Sequence, residues 1–162
     1  MKKSLFIPVL GLVLLIVMGQ DALAQMANVY GLSINLETAK KVAASAIAEA
    51  RKNNWTMAVA ITDTGGNLIY FEKMDSTQTG SVRVAIGKSR SAVLFKRPTK
   101  ALQDTVAAGG EGIRMLRLEG AVPIEGGLPL LMDGKIIGAI GVSGGTSQQD
   151  GVAAKAGADT LK

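Results

Sequence analysis

The stretch Gly126 to Asp150, GGLPLLMDGKIIGAIGVSGGTSQQD, constrains this chain more than any other. Two apolar runs, Leu128–Met132 and Ile136–Val142, flank Asp133-Gly134 and Lys135. A type I′ turn needs positive φ at both central positions, which Asp-Gly tolerates, so the two runs are predicted to pair as an antiparallel hairpin. The second run ends in Ser143-Gly144-Gly145-Thr146. A helix start follows, with Thr146 or Ser147 as N-cap and Gln149 or Asp150 in the first turn. Pairing about Asp133-Gly134 brings Gly126-Gly127 and Gly144-Gly145 together at the open end of the hairpin. That end becomes a rim of small residues and accessible backbone, the first candidate site.

Strict alternation puts Ile136, Gly138, Ile140 and Val142 on one face of the final strand and Ile137, Ala139, Gly141 and Ser143 on the other. Neither set is strongly polar, so both faces are expected to be covered. The small residues of the second set allow close approach by a helix, a second subunit or a flat ligand.

Ahead of this block, Asn35 is a good N-cap for a helix reaching Lys52. Ala39, Val42, Ala43, Ala46, Ile47 and Ala50 form its apolar stripe. Met26 to Ser33 reads as a poorly ordered lead or a short extended segment. Met57–Asp63 and Leu68–Lys73 read as strands joined by Asp63-Thr64-Gly65-Gly66-Asn67. A second long helix is predicted from about Thr79 to Lys96. Arg83, Arg90 and Arg97 share one of its faces, and Lys88 is assigned to its surface elsewhere. The arginine face is either simply solvated or a rim for carboxylates or phosphates, whose geometry suits arginine forks. Pro98 stops this helix, and Thr99 caps a shorter one ending near Ala107. Ile113 to Leu118 is helical turn or irregular, and Ala121-Val122-Pro123-Ile124 reads as a short edge strand. A small-residue helix from Ser147 to about Leu161 closes the chain. Hairpins with flanking helices give an α/β (α+β) domain, with an antiparallel sheet of about five strands.

The N-terminus is of another kind. Met1-Lys2-Lys3, the apolar run Leu5–Met18 and Ala22-Leu23-Ala24 read as a signal peptide over residues 1–24; an uncleaved membrane anchor is the rival. Cleavage makes the protein periplasmic or secreted. It leaves a lead over residues 25–34 and one domain over residues 35–162, with no stable membrane insertion. It also removes two lysines and one aspartate, leaving 16 basic and 12 acidic residues. The resulting net charge of +4 suits anionic ligands weakly, and with no basic block and six aromatic residues nucleic acid is not indicated.

The chain has no cysteine and no histidine. This excludes disulfides, thiol catalysis, zinc–thiolate and iron–sulfur sites, histidine metal ligands and Ser-His-Asp triads. Ser143-Gly144-Gly145-Thr146 lies at a helix start, an anion-binding geometry. It lacks the lysine of a phosphate loop and is not a GxGxxG, so nucleotide binding is not expected.

The block Gly126-Gly127-Leu128-Pro129, Asp133-Gly134, Gly138-Ala139-Ile140-Gly141-Val142-Ser143-Gly144-Gly145-Thr146 and Gln149-Asp150 resembles the signature of the GlcG/HbpS family, which also occurs as the C-terminal part of PduO-type proteins. Asp63-x-Gly65, Met74-Asp75, Lys88-Ser89, Ala92 and Pro98-Thr99 extend the resemblance to about residues 33–162. It implies a profilin-like fold, assembly into dimers or octamers, and binding of haem or a related tetrapyrrole. The residues expected to meet a ligand are Asp75, Arg83, Lys88, Gly126, Gly127, Pro129, Ser143, Gly144, Gly145 and Asp150. Axial ligation in the family commonly involves histidine. Here Met74, Met115, Tyr70 and Lys88 are the substitutes that chemistry allows, set against plain packing roles for Tyr70, Met74 and Met115.

Three functions follow for the mature chain. One is a small-ligand-binding protein, with haem or a tetrapyrrole first, Arg83 and Lys88 meeting its propionates and the apolar sheet face its ring. Another is an enzyme on a small carboxylate or haem, using Asp63, Asp75, Glu111, Glu125 or Asp150 as acid or base. The third is an assembly module whose glycines serve backbone geometry alone. No catalytic residue and no metal site can be assigned from the sequence.

Overall fold

The structure, a computed structural model, describes residues 29–162. The signal peptide predicted over residues 1–24 lies outside the described residues. No described helix is long and apolar enough to cross a membrane.

Helix α1, Leu36–Lys52, begins at Asn35, whose side chain accepts from the Thr38 amide at 2.8 Å. All six residues of its predicted stripe are buried. Strands β1 (Ala58–Thr62) and β2 (Leu68–Lys73) form the first hairpin. Helices α2 (Ser81–Leu94) and α3 (Thr99–Ala107) follow, then a 3₁₀ segment over Gly110–Arg117. Strands β3 (Gly127–Met132) and β4 (Lys135–Ser143) form the second hairpin. Asp133 and Gly134 both have positive φ, 51° and 71°, as the turn demands. Helix α4, Ser147–Ala158, starts at Thr146 in a full capping box with Gln149, and a 3₁₀ turn over Asp159–Leu161 ends the chain.

The sheet is antiparallel with order β2-β1-β4-β3, four strands where about five were predicted. The missing one is Ala121–Ile124. There the Val122 amide donates to Ser91 Oγ on α2 and the Ile124 amide to the Val122 carbonyl, so the segment turns locally and joins no ladder. Thr99 is likewise not a cap. It is buried in the first turn of α3, and its hydroxyl accepts from the Gly127 amide at 2.9 Å, fixing the start of β3.

The predicted alternation of β4 holds only beyond Gly138. Leu130 pairs with Gly138 but Leu131 pairs with Ile136, so a bulge at Ile137 shifts the phase. Ile136 therefore packs with Ala139, Ala92 and Val93 on the α2 side. Ile137 joins Ile140 and Val142 in the main core with α1 and α4. From Val29 onward the lead is part of the fold. Beyond the end of β1, the Ile136 amide donates to the Val29 carbonyl, and the amides of Gly31 and Ile34 donate back to Ile136 and Ile137.

The small-residue face of β4 is covered by α2, not left for a flat ligand. A Cβ built at Gly141 would lie 2.0 Å from the Ala85 carbonyl oxygen and 2.5 Å from the Ser89 amide nitrogen. Helix α2 thus rests directly on the strand backbone. Replacing Gly141 with alanine should force α2 off the sheet and cost roughly 1–3 kcal/mol or more in a denaturant titration. An unchanged midpoint would show that α2 is not seated at this distance.

Candidate functional site

Lys88 is not a surface residue: it is 1% exposed and lies on the buried side of α2. Its ammonium donates to Asp150 Oδ2 at 2.6 Å and to the Val142 carbonyl at 3.1 Å. Asp150, 3% exposed in the first turn of α4, also accepts the Gly145 amide at 3.0 Å through Oδ1. Asp150, predicted in the first turn of this helix and found there, is therefore also a buried ion-pair partner. Burial pushes the Lys88 pKa down and the Asp150 pKa up, and each charge works against the shift of the other. With each charged atom hydrogen-bonded, the geometry is that of a retained ion pair.

The two glycine clusters meet around this pair. The Val142 amide donates to the Gly126 carbonyl at 2.9 Å. Gly126 has φ of +123°, and a Cβ there would lie 2.8 Å from both Lys88 Nζ and Asp150 Cβ, so no side chain fits. Gly127 lies against the Lys88 carbonyl, Gly144 against Thr56, and Gly145 against Gln149.

In front of Gly126 opens a cleft of about 440 Å³. Gly126, just before β3, and Gly127, Leu128, Pro129 and Leu131 of β3 supply its apolar side. Lys96, Lys100, Lys155 and Lys162 stand around it, with Glu125 and Asp159 as its carboxylates. Lys155 and Lys162 are both 2.5 Å from Asp159, Lys100 is 2.7 Å from Asp104, and Lys96 lies 4.4 Å from the centre of the Tyr30 ring. Exposed pairs of this kind are weakly held and exchange readily for a ligand carboxylate.

Of the residues expected to bind a ligand, Gly126, Gly127 and Pro129 line this cleft, Lys88 and Asp150 lie directly behind Gly126, and Gly144 and Gly145 do not line it. Ser143 donates to Ser81 Oγ on α2 at 3.2 Å. Asp75 and Arg83 are exposed and do not line the cleft. Among the acids, Asp63 is the turn residue: burial would raise its pKa, but hydrogen bonds from Asn67 and Gly65 outweigh it and lower it. None of the suggested iron ligands lines the cleft. Tyr70 donates to Glu72, Met74 Sδ accepts the Met57 amide, and Lys88 is held by Asp150. Met115 is half-buried outside the core clusters, not within the core as its packing role implied. The four lysines were missed because Lys96 follows α2, Lys100 stands on α3, Lys155 on α4 and Lys162 at the end of the chain, and only the fold gathers them.

Removing one partner of a buried pair leaves the other charge unpaired, a loss of about 3–5 kcal/mol. Lys88→Met and Asp150→Asn should each lose roughly this much in chemical denaturation. The double variant should lose clearly less than the two losses added, because no lone charge remains. Additive losses would show that the pair is not coupled.

Comparison with known proteins gives a consistent result. Residues 34–159 match the family model "Haem degrading protein HbpS-like". Protein GlcG of Escherichia coli K12 is 37% identical over 110 residues, covering 68% of this chain and 81% of GlcG. The crystal structure of a Streptomyces reticuli HbpS double mutant superposes with a TM-score of 0.75 at 28% identity, covering 82% of this chain and 89% of that one. That of a PduOC–haem complex gives 0.73 at 26% identity, covering 81% and 96%. By the span of the family match and by its identity to GlcG, this chain belongs to the HbpS-like family.

Proposed function

We propose that this protein binds haem or a related tetrapyrrole in the cleft in front of Gly126, and that it does so as an exported homo-oligomer. One observation carries the reading: an apolar strip, Leu128, Pro129 and Leu131, is ringed by four lysines. Such a surface suits a flat apolar molecule with acidic groups on its edge, and the PduOC relative was crystallised with haem. The organic part of haem fits this cleft, since its propionates meet lysine and its ring meets β3. The iron does not find its usual partner, because the chain has no histidine. The ligand is therefore held by apolar contact and charge, and no residue of the cleft is assigned as an axial ligand.

The assembly rests on exposed apolar side chains. Ile113 and Leu116 on the 3₁₀ segment and Leu118 beside it are 54%, 59% and 42% exposed. Covering them with a second copy removes apolar surface from water. Strand β3 is an edge of the sheet, and Pro129 within it lacks a donor, so pairing of β3 edges is disfavoured and side-chain packing is the expected mode. Export rests on the N-terminal signal.

Titration of the purified protein with haemin should give a saturable Soret shift at micromolar haemin. Lys100→Ala, Lys155→Ala and Lys162→Ala should each weaken binding about two- to fivefold, as expected for exposed ion pairs. Absence of a saturable shift in the wild type would end the proposal.

A further inference from the structure

The four lysines around the cleft are not alike. Lys155 and Lys162 share Asp159, and Lys100 holds Asp104. Among the described residues, Lys96 is in ion-pair contact with no carboxylate. Its ammonium lies over the Tyr30 ring instead, 4.4 Å from the centre. A cation on a ring face is weakly held and keeps its N–H donors free. Lys96 is also half-buried where the other three are exposed, so its charge is less screened.

The backbone at Lys96 is strained. Helix α2 ends at Leu94, and Lys96 has φ of +52°. Its amide donates to the Val93 carbonyl at 3.3 Å, and the Arg97 amide donates to the Ala92 carbonyl at 3.2 Å. Glycine is the usual left-handed residue of this helix ending, because a Cβ is unfavourable there. The ammonium is not needed as a cap, since the Tyr30 hydroxyl donates to the Val93 carbonyl at 2.8 Å. Tyr30 is itself fixed, because the flanking Val29 and Gly31 both hydrogen-bond to Ile136. A lysine in a glycine position, with an uncompensated charge at the cleft, is explained by what that charge meets there.

We infer that Lys96 selects ligands that carry a free carboxylate, with Tyr30 as the positioning residue that holds its ammonium at the rim. This rests on the reading that a tetrapyrrole occupies the cleft, and it names the residue that recognises the acidic edge. A carboxylate that reaches Lys96 gains charge-assisted hydrogen bonds without displacing a carboxylate of the protein. At Lys100, Lys155 and Lys162 it competes with Asp104 or Asp159. A ligand with the same ring but esterified acids loses the contact with Lys96.

The test is a pair of absorbance titrations of the purified protein, with haemin and with haemin dimethyl ester, which keeps the ring and the iron but not the acids. The wild type should bind haemin about tenfold or more tightly than the ester. Lys96→Met should weaken haemin binding about tenfold, beyond the loss expected of Lys100→Ala, and should change ester binding by less than about twofold. Lys96→Gly, which relieves the left-handed strain, should lose haemin equally, with a denaturation midpoint no lower than that of the wild type. Tyr30→Leu should weaken haemin binding about threefold in the wild type and not at all in Lys96→Met. Haemin binding unchanged in Lys96→Met, equal loss of haemin and ester there, or a wild type that takes the ester as tightly as haemin overturns the inference and leaves the tetrapyrrole reading intact. If Lys96→Gly lowers the midpoint, the ester decides: ester binding kept in that variant supports the inference, and ester binding lost overturns it. A Tyr30→Leu loss that persists in Lys96→Met overturns the role of Tyr30. A wild type that binds neither ligand overturns both readings.

Discussion

The Lys88–Asp150 pair is the interaction on which the arrangement of this domain depends. Helix α4 packs in the main core on one face of the sheet, and α2 lies on the other. Lys88 reaches from α2 past the end of β4, touching Val142, to a carboxylate on α4. The contact at 2.6 Å thus ties together two layers that the sheet otherwise separates. Taking two charges out of water costs several kcal/mol per ion, which their attraction offsets only when hydrogen bonds satisfy the remaining atoms. Here the Val142 carbonyl and the Gly145 amide do so. Such a pair adds little net stability, but it penalises any packing in which α2 and α4 are out of position. The glycine at position 126 follows from it, because the chain entering β3 must pass within contact distance of both charges.

The two faces of the sheet are held by different means. The face toward α1 and α4 carries Val59, Ile61, Ile140 and Val142, so apolar area dominates there. The face toward α2 is lined mainly by Ala58, Ala60, Ala139 and Gly141. Less apolar area is removed from water on that side, and α2 is located by polar contacts instead. Ser89 donates to the Ala139 carbonyl at 2.9 Å and bonds Thr62 at 2.8 Å, and Ser143 bonds Ser81. These bonds and the ion pair are directional, so the helix has one seat on the sheet. A site built from α2, β3 and α4 inherits that rigidity.

Much of the fold was legible because local rules governed it. Asp133-Gly134 made its turn, the alanine stripe of α1 was buried throughout, and the capping box opened α4. The failures came where distant residues decided. Alternation along β4 assumes unbroken pairing, and the bulge at Ile137 breaks it. The two ordered strands beside β4 leave its first residues open on one side, and the lead from Val29 fills that gap, which no periodicity in the lead announces. Lys88 did carry a signal. It falls in the stripe Ser81, Ala85, Lys88, Ala92, which is buried throughout, and a lysine in a buried stripe requires a carboxylate. The spacing of Arg83, Arg90 and Arg97, the last of which lies beyond the end of α2, drew Lys88 into a single surface reading and hid the exception.

The cleft and the buried pair are parts of one device. Gly126 is the thin wall between them, a residue without a side chain that lines the cleft on one side and touches Lys88 and Asp150 on the other. Anything seated on Gly126 takes the place of solvent on the cleft side of the pair. Its field is then less screened, and a change of charge on either partner costs more. The same lowered screening strengthens the attraction between bound acidic groups and the surrounding lysines. Lys155 follows Asp150 on α4, Lys100 stands on α3, and α3 is tied to the start of β3 through Thr99. A ligand that bridges these lysines therefore loads the elements that the ion pair already holds in register. Under the proposed reading, binding and fold would be coupled through one backbone position, Gly126, which would serve the architecture and the site at once.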